Sequence, residues 1–246
     1  MPRLMNSMES SAIVAAKGNF SFSAVKIEDL GATEYTLVTI ALDKSGSVSG
    51  FSDELLKALI SVVEACKKSP RAENLLLRVL EFNSIIDEVH GFKLLNMIDP
   101  NKDYLVPSCD GQTALNDAVF CSVGATIQYA KKLTDQDFNV NGICFVITDG
   151  EENASKTTPG MITDVLKKAK IGEEIESLIT ILVGINTQNC GQALDAFHQE
   201  AGMTQYIDAG DATPQKLAKL ASFVSKSISS QSQALGSGGP SQPLTF

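Results

Sequence analysis

The chain of 246 residues contains only two histidines, and none of its five cysteines belongs to a Cys-x-x-Cys pair. His90 and His198 are far apart, with no histidine or cysteine at zinc-ligand spacing, so a zinc site is not expected. The sequence also lacks the Gly-x-x-x-x-Gly-Lys-Ser/Thr motif of P-loops and the Gly-x-Ser-x-Gly elbow of serine hydrolases. These absences argue against zinc chemistry, P-loop nucleotide hydrolysis and a hydrolase triad.

Positive charge and long apolar runs are scarce as well. Twenty basic residues stand against 29 acidic ones, which gives a formal net charge of −9. A nucleic-acid partner requires a basic surface, so none is expected. No run reaches transmembrane length, no segment has the features of a signal peptide, and an odd number of cysteines favours free thiols. We therefore expect a cytoplasmic protein without a membrane partner.

Apolar runs alternate with amphipathic segments from residue 34 onward. Residues 37–42 and 143–147 are almost wholly apolar, as in strands that are covered on both faces. Residues 75–82 and 85–92 flank a short polar turn and favour a hairpin. The pattern predicts a doubly wound α/β fold. Its central sheet is mostly parallel with one antiparallel edge strand, and helices cover both faces.

One large domain accounts for most of the chain, and we place it at residues 34–233. Residues 1–18 are small and polar, so we expect a flexible N-terminus. Residues 19–33 are predicted to be an N-terminal extension with a short strand. Residues 234–246 are rich in glycine, serine and proline, which predicts a disordered tail.

Oxygen-bearing side chains follow the predicted strands. Asp43, Ser45 and Ser47 come after the first buried run, Thr113 follows a glycine-containing loop, and Asp149 ends a later apolar run. Ligands of doubly wound sheets bind at the carboxyl ends of the strands, so these five residues are expected to converge. Hydroxyls and a few carboxylates suit Mg²⁺. Two carboxylates leave such an ion under-neutralised, with a position open to an outside carboxylate.

The motif Asp43-x-Ser45-x-Ser47, followed in order by Thr113 and Asp149, resembles the metal-ion-dependent adhesion site of von Willebrand factor type A (vWA) domains. Three surrounding segments are similar to the family's threonine loop, second aspartate turn and late strand: residues 111–115, 147–150 and 183–186. The resemblance covers roughly residues 34–230 and points to a stand-alone bacterial or phage-like member. It implies that the three hydroxyls bind Mg²⁺ (or Mn²⁺ or Ca²⁺) directly, and that the two acids bind it directly or through water. A glutamate or aspartate of a partner protein then completes the coordination.

Two positions depart from the family's pattern without removing a ligand. Lys44 occupies a position where small or acidic residues are common, and it either points away or adds positive charge to the binding face. Gln112 stands where a second glycine is frequent. With Asp110 and Glu151 on the flanking loops, these residues are expected to form the rim of the site. Asp110 is the candidate for an additional carboxylate.

Three functional hypotheses follow. The first is a metal-dependent module that binds an acidic side chain of a protein partner. The second is a structural or adaptor subunit of a larger assembly, such as an AAA ATPase partner or a phage or bacterial complex. The third, a metal-dependent phosphoryl-transfer enzyme, is disfavoured. The site has no general base, and Asp43-x-Ser45 lacks the second acid of an Asp-x-Asp phosphatase, so we predict that the protein is not an enzyme.

Overall fold

The computed structural model of the chain describes residues 8–15 and 18–246. Its strands are Met8–Ala15 (β1), Gly18–Val25 (β2), Glu34–Asp43 (β3), Leu75–Phe82 (β4), Ile86–Leu94 (β5), Asn139–Thr148 (β6), Ser177–Gly184 (β7) and Gln205–Asp208 (β8). They form one sheet in the order β1-β2-β5-β4-β3-β6-β7-β8. The α-helices are Ser52–Lys67 (α1), Pro100–Asp103 (α2), Leu115–Thr134 (α3), Pro159–Ile171 (α4), Gly191–Ala201 (α5) and Pro214–Ser237 (α6).

Helices cover both faces of the sheet, because the central strands are apolar on both sides. One core cluster joins the sheet to α3, α4 and α5. The other joins it to α1 and α6. Strands β4, β3, β6, β7 and β8 are mutually parallel, and β5 is antiparallel to β4. The predicted fold class is therefore confirmed. Among the described residues, none of the helices combines the length and the apolar composition that a membrane span requires.

The sheet extends further than the sequence predicted. Strand β2 pairs with β5 in parallel, and β1 pairs with β2 in an antiparallel hairpin. The antiparallel strand β5 is therefore inside the sheet, and β1 forms its edge. The backbone N–H and Oγ of Ser23 donate to Glu88 Oε1 at 2.9 and 2.6 Å. A Cβ at Gly91 would overlap the carbonyl group of Ser23, so glycine at this position allows the close approach of β2.

Both ends of the chain have more structure than predicted. We expected residues 1–18 to be flexible, but Met8–Ala15 is strand β1, while residues 1–7 and 16–17 lie outside the described part. The predicted disordered tail, 234–246, begins inside α6. Beyond the helix, the ring of Phe246 packs edge-on against Phe223 with centroids 5.5 Å apart. The tail folds back because its terminal apolar side chains pack against the core cluster on the α6 face of the sheet.

His90 is buried in β5 as a neutral imidazole. Its Nδ1 donates to the carbonyl oxygen of Gly91 at 2.8 Å, and its Nε2 accepts from the hydroxyl of Tyr104 at 2.8 Å. Burial is the main reason that the pKa of His90 falls from 6.5 to about 4. The folded protein therefore resists protonation of this ring, whereas the unfolded chain does not.

This difference predicts an acid-dependent loss of stability. A histidine whose pKa is lowered on folding contributes stability above its unfolded pKa, and that contribution is lost as the pH falls from about 6.5 towards about 4. The free energy of unfolding of the wild type should fall by about 3 kcal/mol more than that of His90→Asn over this range. Urea unfolding at both ends of the range measures the difference. Equal losses in the two proteins would contradict this account of His90.

Candidate metal-ion site

The predicted ligands gather at the carboxyl edge of the parallel strands. Asp43 is the last residue of β3, and Asp149 directly follows β6, the neighbour of β3 in the sheet. Ser45 and Ser47 lie on the turn that leaves β3. Because parallel neighbours end at the same edge, the two turns face each other across a single crevice.

Hydrogen bonds link three of these side chains. Ser47 Oγ donates to Asp149 Oδ1 at 2.7 Å, and Ser45 Oγ lies 3.2 Å from Ser47 Oγ. These contacts join the turn after β3 to the turn after β6. Two hydroxyls and one carboxylate are thus within reach of the same point in space.

Thr113 reaches this place from the loop before α3. Its backbone N–H donates to Asn153 Oδ1 at 2.8 Å, and its carbonyl oxygen accepts from the N–H of Asn153 at 3.0 Å. The Thr113 Oγ1 atom would lie 3.5 Å from a Cβ at Gly150, so it borders the Asp149 turn. The N–H of Gly46 donates to the carbonyl oxygen of Gly111 at 3.3 Å, which ties the same loop to the serine turn.

Asp43 is the buried acid of the site, with 1% of its surface exposed. Its Oδ1 accepts from the N–H of Ser45 at 2.7 Å, and its Oδ2 accepts from Thr148 Oγ1 at 2.5 Å. Burial raises the pKa of Asp43 to about 6, against the lowering effect of these hydrogen bonds. Burial also raises the pKa of Asp149. Both shifts show that negative charge is costly here without a neighbouring cation.

Lys44 points away from the candidate ligands. Its Nζ is 2.6 Å from Asp87 Oδ2 and 3.7 Å from Glu81 Oε2, on β5 and β4. The residue belongs to the rim through its backbone, since its carbonyl oxygen accepts from the N–H of Asp110 at 3.0 Å. From the sequence, Lys44 was expected either to point away or to add positive charge to the binding face. The structure shows that it points away, so it adds no positive charge to the crevice.

The remaining rim residues face the β4–β5 turn or solvent. Asp110 Oδ1 accepts from Asn83 Nδ2 at 2.8 Å, and the N–H of Gln112 donates to Ser84 Oγ at 3.0 Å. Glu151 is exposed on the loop after β6. Asp110 thus uses one carboxylate oxygen to fix the threonine loop to the neighbouring turn, rather than joining the five candidate ligands.

Sequence reasoning did not recognise the two acids that shape the loop after Asp149. Asp117 is buried and accepts from the N–H and Oγ1 of Thr157 at 2.9 and 2.7 Å. Glu152 accepts from the N–H of Ser155 and from the N–H of Asn116. Carboxylates that bind backbone N–H groups organise loops, but their distant partners leave no signal in the sequence.

The donor set fits a hard divalent cation. All five candidate ligands offer oxygen, from three hydroxyls and two carboxylates, which is the chemistry of Mg²⁺ and Ca²⁺ sites. Within the described part of the chain, no group of three or more histidine, cysteine, aspartate or glutamate side chains is placed to hold a metal ion. An acid-rich or sulfur-based centre elsewhere in this part is therefore not a competing candidate.

No protein-family profile and no curated protein sequence matches the chain. Several solved structures share its fold. The PilB minor pilin from Streptococcus sanguinis has a TM-score of 0.55 at 15% identity, over 93% of this chain and 68% of the pilin. PTMP1 from the mussel byssus was solved with zinc in its MIDAS (metal-ion-dependent adhesion site) motif. It has a TM-score of 0.53 at 17% identity, over 80% of this chain and 46% of PTMP1. The pilus adhesin SpaC from Lactobacillus rhamnosus GG has a TM-score of 0.54 at 10% identity, over 91% of this chain and 34% of SpaC.

At these identities the comparisons establish a shared fold. The chain spans about two thirds of the pilin, less than half of PTMP1 and about a third of the adhesin. The fold is therefore one that pilus and byssus-matrix proteins contain as part of a longer chain.

Proposed function

We propose that the chain is a vWA-type interaction domain that binds an acidic side chain of a partner protein through a divalent cation. The ligands of that cation are Asp43, Ser45, Ser47, Thr113 and Asp149. The observation that carries the proposal is the convergence of the turns after β3 and β6, joined by the 2.7 Å bond from Ser47 to Asp149. Residues separated by about a hundred positions along the chain supply oxygen atoms to one crevice.

The chemistry of the bound ion follows from its ligands. Mg²⁺ is the expected ion, with Mn²⁺ or Ca²⁺ as substitutes, because all ligands are oxygen atoms. Among the ligands, only the carboxylates of Asp43 and Asp149 are charged, and the neutral hydroxyl oxygens bind the metal ion more weakly. The ion therefore keeps an affinity for a further carboxylate, which the partner supplies.

The solved structures with this fold support an interaction role over catalysis. They are named as a minor pilin, a pilus adhesin and a matrix protein, and one of them has a MIDAS motif occupied by zinc. They also favour a second candidate function, that of a structural subunit in an extracellular assembly. In that case the protein acts outside the cell, rather than as the predicted cytoplasmic adaptor.

A thermal-shift experiment tests the metal site. Mg²⁺ or Mn²⁺ at a hundred times its dissociation constant should add about 2.7 kcal/mol to the free energy of unfolding. For a domain of this size the melting temperature rises by about 5–10 °C. The double variant Ser45→Ala/Ser47→Ala should lose this rise, because two of the three hydroxyl ligands are gone.

The matched control is Ser49→Ala, which removes an exposed hydroxyl from the same turn but none of the five ligands. It should keep the full response to metal. The proposal fails if the double variant responds as strongly as Ser49→Ala, or if the wild type shows no response to either ion.

A further inference from the structure

Asn153 joins the two loops that carry the candidate ligands Thr113 and Asp149. Its Oδ1 accepts from the N–H of Thr113 at 2.8 Å, and its own N–H donates to the carbonyl oxygen of Thr113 at 3.0 Å. Asn153 lies on the loop that follows Asp149, whereas Thr113 lies on the loop before α3. The asparagine is exposed to solvent, but the threonine that it holds is buried. Asn153 is not one of the five candidate ligands, so its two bonds position a ligand.

Two carboxylates fasten the same loop to the first turn of α3. Glu152, on the loop, accepts from the N–H of Asn116 at 2.8 Å, at the start of the helix. Asp117, on the helix, accepts from the N–H of Thr157 at 2.9 Å, near the end of the loop. Each acid therefore binds the backbone of the segment that carries the other. The loop cannot shift along α3 without breaking both contacts, and Thr113 comes just before this helix.

Thr113 is held by bonds for which a metal ion does not compete. The two serine hydroxyls bond within the crevice, where Ser47 Oγ donates to Asp149 Oδ1 at 2.7 Å and lies 3.2 Å from Ser45 Oγ. An ion at this point replaces those contacts. The bonds between Asn153 and Thr113 use backbone atoms of the threonine and leave its Oγ1 free to bind an ion. Threonine is branched at Cβ, so a fixed backbone restricts the position of the hydroxyl as well.

A ligand whose position is set before the ion arrives discriminates between divalent cations. Mg²⁺ requires nearly ideal octahedral geometry at about 2.0–2.1 Å, whereas Ca²⁺ accepts about six to eight oxygen ligands at about 2.3–2.6 Å in irregular arrangements. Selectivity between the two ions therefore depends on the number of ligands and on how rigidly they are held. A fixed threonine hydroxyl favours Mg²⁺, and it gives less advantage to an ion that tolerates displaced ligands.

We propose that Asn153 determines the ion specificity of the candidate site, because it holds Thr113 in the position that Mg²⁺ requires of an oxygen ligand. This inference rests on the proposed metal-dependent function, and it names the residue by which the site selects Mg²⁺ over Ca²⁺. Asn153 is a positioning residue, since it contacts Thr113 and not the ion. Replacing a residue that orients a metal ligand typically weakens metal binding by about 10- to 100-fold.

Isothermal titration of the whole chain with Mg²⁺ alone and with Ca²⁺ alone tests the inference. The wild type should bind Mg²⁺ more tightly than Ca²⁺. Asn153→Ala should weaken Mg²⁺ binding about tenfold, because the threonine loop loses its anchor, and should weaken Ca²⁺ binding by less than about threefold. The ratio of the two dissociation constants therefore shifts in favour of Ca²⁺. A residue that only stabilised the fold would not change this ratio.

Two further variants at the same position separate the anchoring of Thr113 from the stability of the fold. Asn153→Asp keeps an oxygen that accepts from the N–H of Thr113, so it should keep the wild-type ratio. Its added charge acts on two ions of equal charge and therefore cancels in the ratio. Asn153→Gln displaces the amide by one methylene group and should shift the ratio in the same direction as alanine. It replaces Asn153→Ala as the test variant if the alanine protein does not unfold cooperatively.

Asn74→Ala is the matched control. Asn74 Nδ2 donates to the carbonyl oxygen of Glu34 at 3.0 Å, so this variant also loses one bond between two segments, but at the amino edge of the sheet. Both of its dissociation constants should stay within about twofold of the wild type.

The inference is overturned if Asn153→Ala keeps the wild-type ratio, or if the wild type binds Ca²⁺ as tightly as Mg²⁺. In both cases a divalent cation still binds, so the proposed function stands without this account of Asn153. A wild type that binds neither ion would reject the proposed function and the inference together.

Discussion

Replacing Asp43 by asparagine is expected to stabilise the metal-free protein and to abolish its response to divalent cations. Burial raises the pKa of Asp43 from 3.8 to about 6, so the folded state disfavours the ionised form. For an acid with a raised pKa, the stabilising contribution exists below its unfolded pKa and is lost as the pH rises through about 6. At neutral pH the ionised carboxylate therefore costs about 3 kcal/mol.

Asparagine removes this charge and keeps the shape of the side chain. Its carbonyl oxygen can still accept from the N–H of Ser45, and its amide can face Thr148 Oγ1. Urea unfolding in EDTA should show a gain of about 2–3 kcal/mol, and added Mg²⁺ should have no further effect. The control variant is Asp137→Asn, which changes an exposed turn residue with positive φ. It should leave the free energy of unfolding and the response to Mg²⁺ almost unchanged.

A metal-free Asp43→Asn protein that is less stable than the wild type would contradict the electrostatic account of this residue. Retention of the full Mg²⁺ response would instead contradict its role as a ligand. A gain in stability with a loss of metal binding is the trade-off expected when a buried acid is kept for function.

Glu88→Ala is expected to destabilise the protein by about 3–5 kcal/mol, because it leaves a buried guanidinium without its carboxylate. Arg78 is fully buried, and its Nε donates to Glu88 Oε2 at 2.7 Å. The remaining hydrogen bond goes from Nη2 to Cys121 Sγ at 3.4 Å, which does not compensate a charge. Glu88 also accepts two hydrogen bonds from Ser23, so two of the contacts between β2 and β5 are lost as well.

Chemical denaturation measures the loss of stability in Glu88→Ala, and Glu54→Ala is the control. Glu54 lies 3.8 Å from Lys57, whose side chain is largely exposed. That control should cost less than about 1 kcal/mol. The double variant Arg78→Met/Glu88→Ala should recover part of the loss, since no unpaired charge then remains. Similar losses for Glu88→Ala and Glu54→Ala would show that the buried pair is not a stabilising element.

The parallel sheet could be predicted from the sequence because strands that are covered on both faces must be apolar along their whole length. β3 and β6 show this in their burial as well as in their composition. The same reasoning placed Asp43 and Asp149 at one edge, since the ends of neighbouring parallel strands coincide. The fold and the convergence of candidate ligands therefore follow from local patterns combined with a general rule of topology.

Features that depend on pairs of distant residues could not be predicted. The N-terminal hairpin joins the sheet because Gly91 has no side chain and Glu88 accepts from Ser23, and neither fact is visible near residue 23. The direction of Lys44 depends on Asp87, on another strand. The fold-back of the tail depends on the contact between Phe246 and Phe223.

The central claim is that one divalent cation binds among the side chains of the two turns. Crystals grown with Mn²⁺ test it most directly, because the anomalous scattering of manganese locates the ion. The account predicts a single strong peak within about 2.6 Å of the Ser45 and Ser47 hydroxyls, a distance typical of oxygen ligands to hard cations. Two results at saturating Mn²⁺ would contradict it: no anomalous peak in the crevice, or a peak elsewhere on the protein. In either case the hydrogen bond from Ser47 to Asp149 would be unchanged.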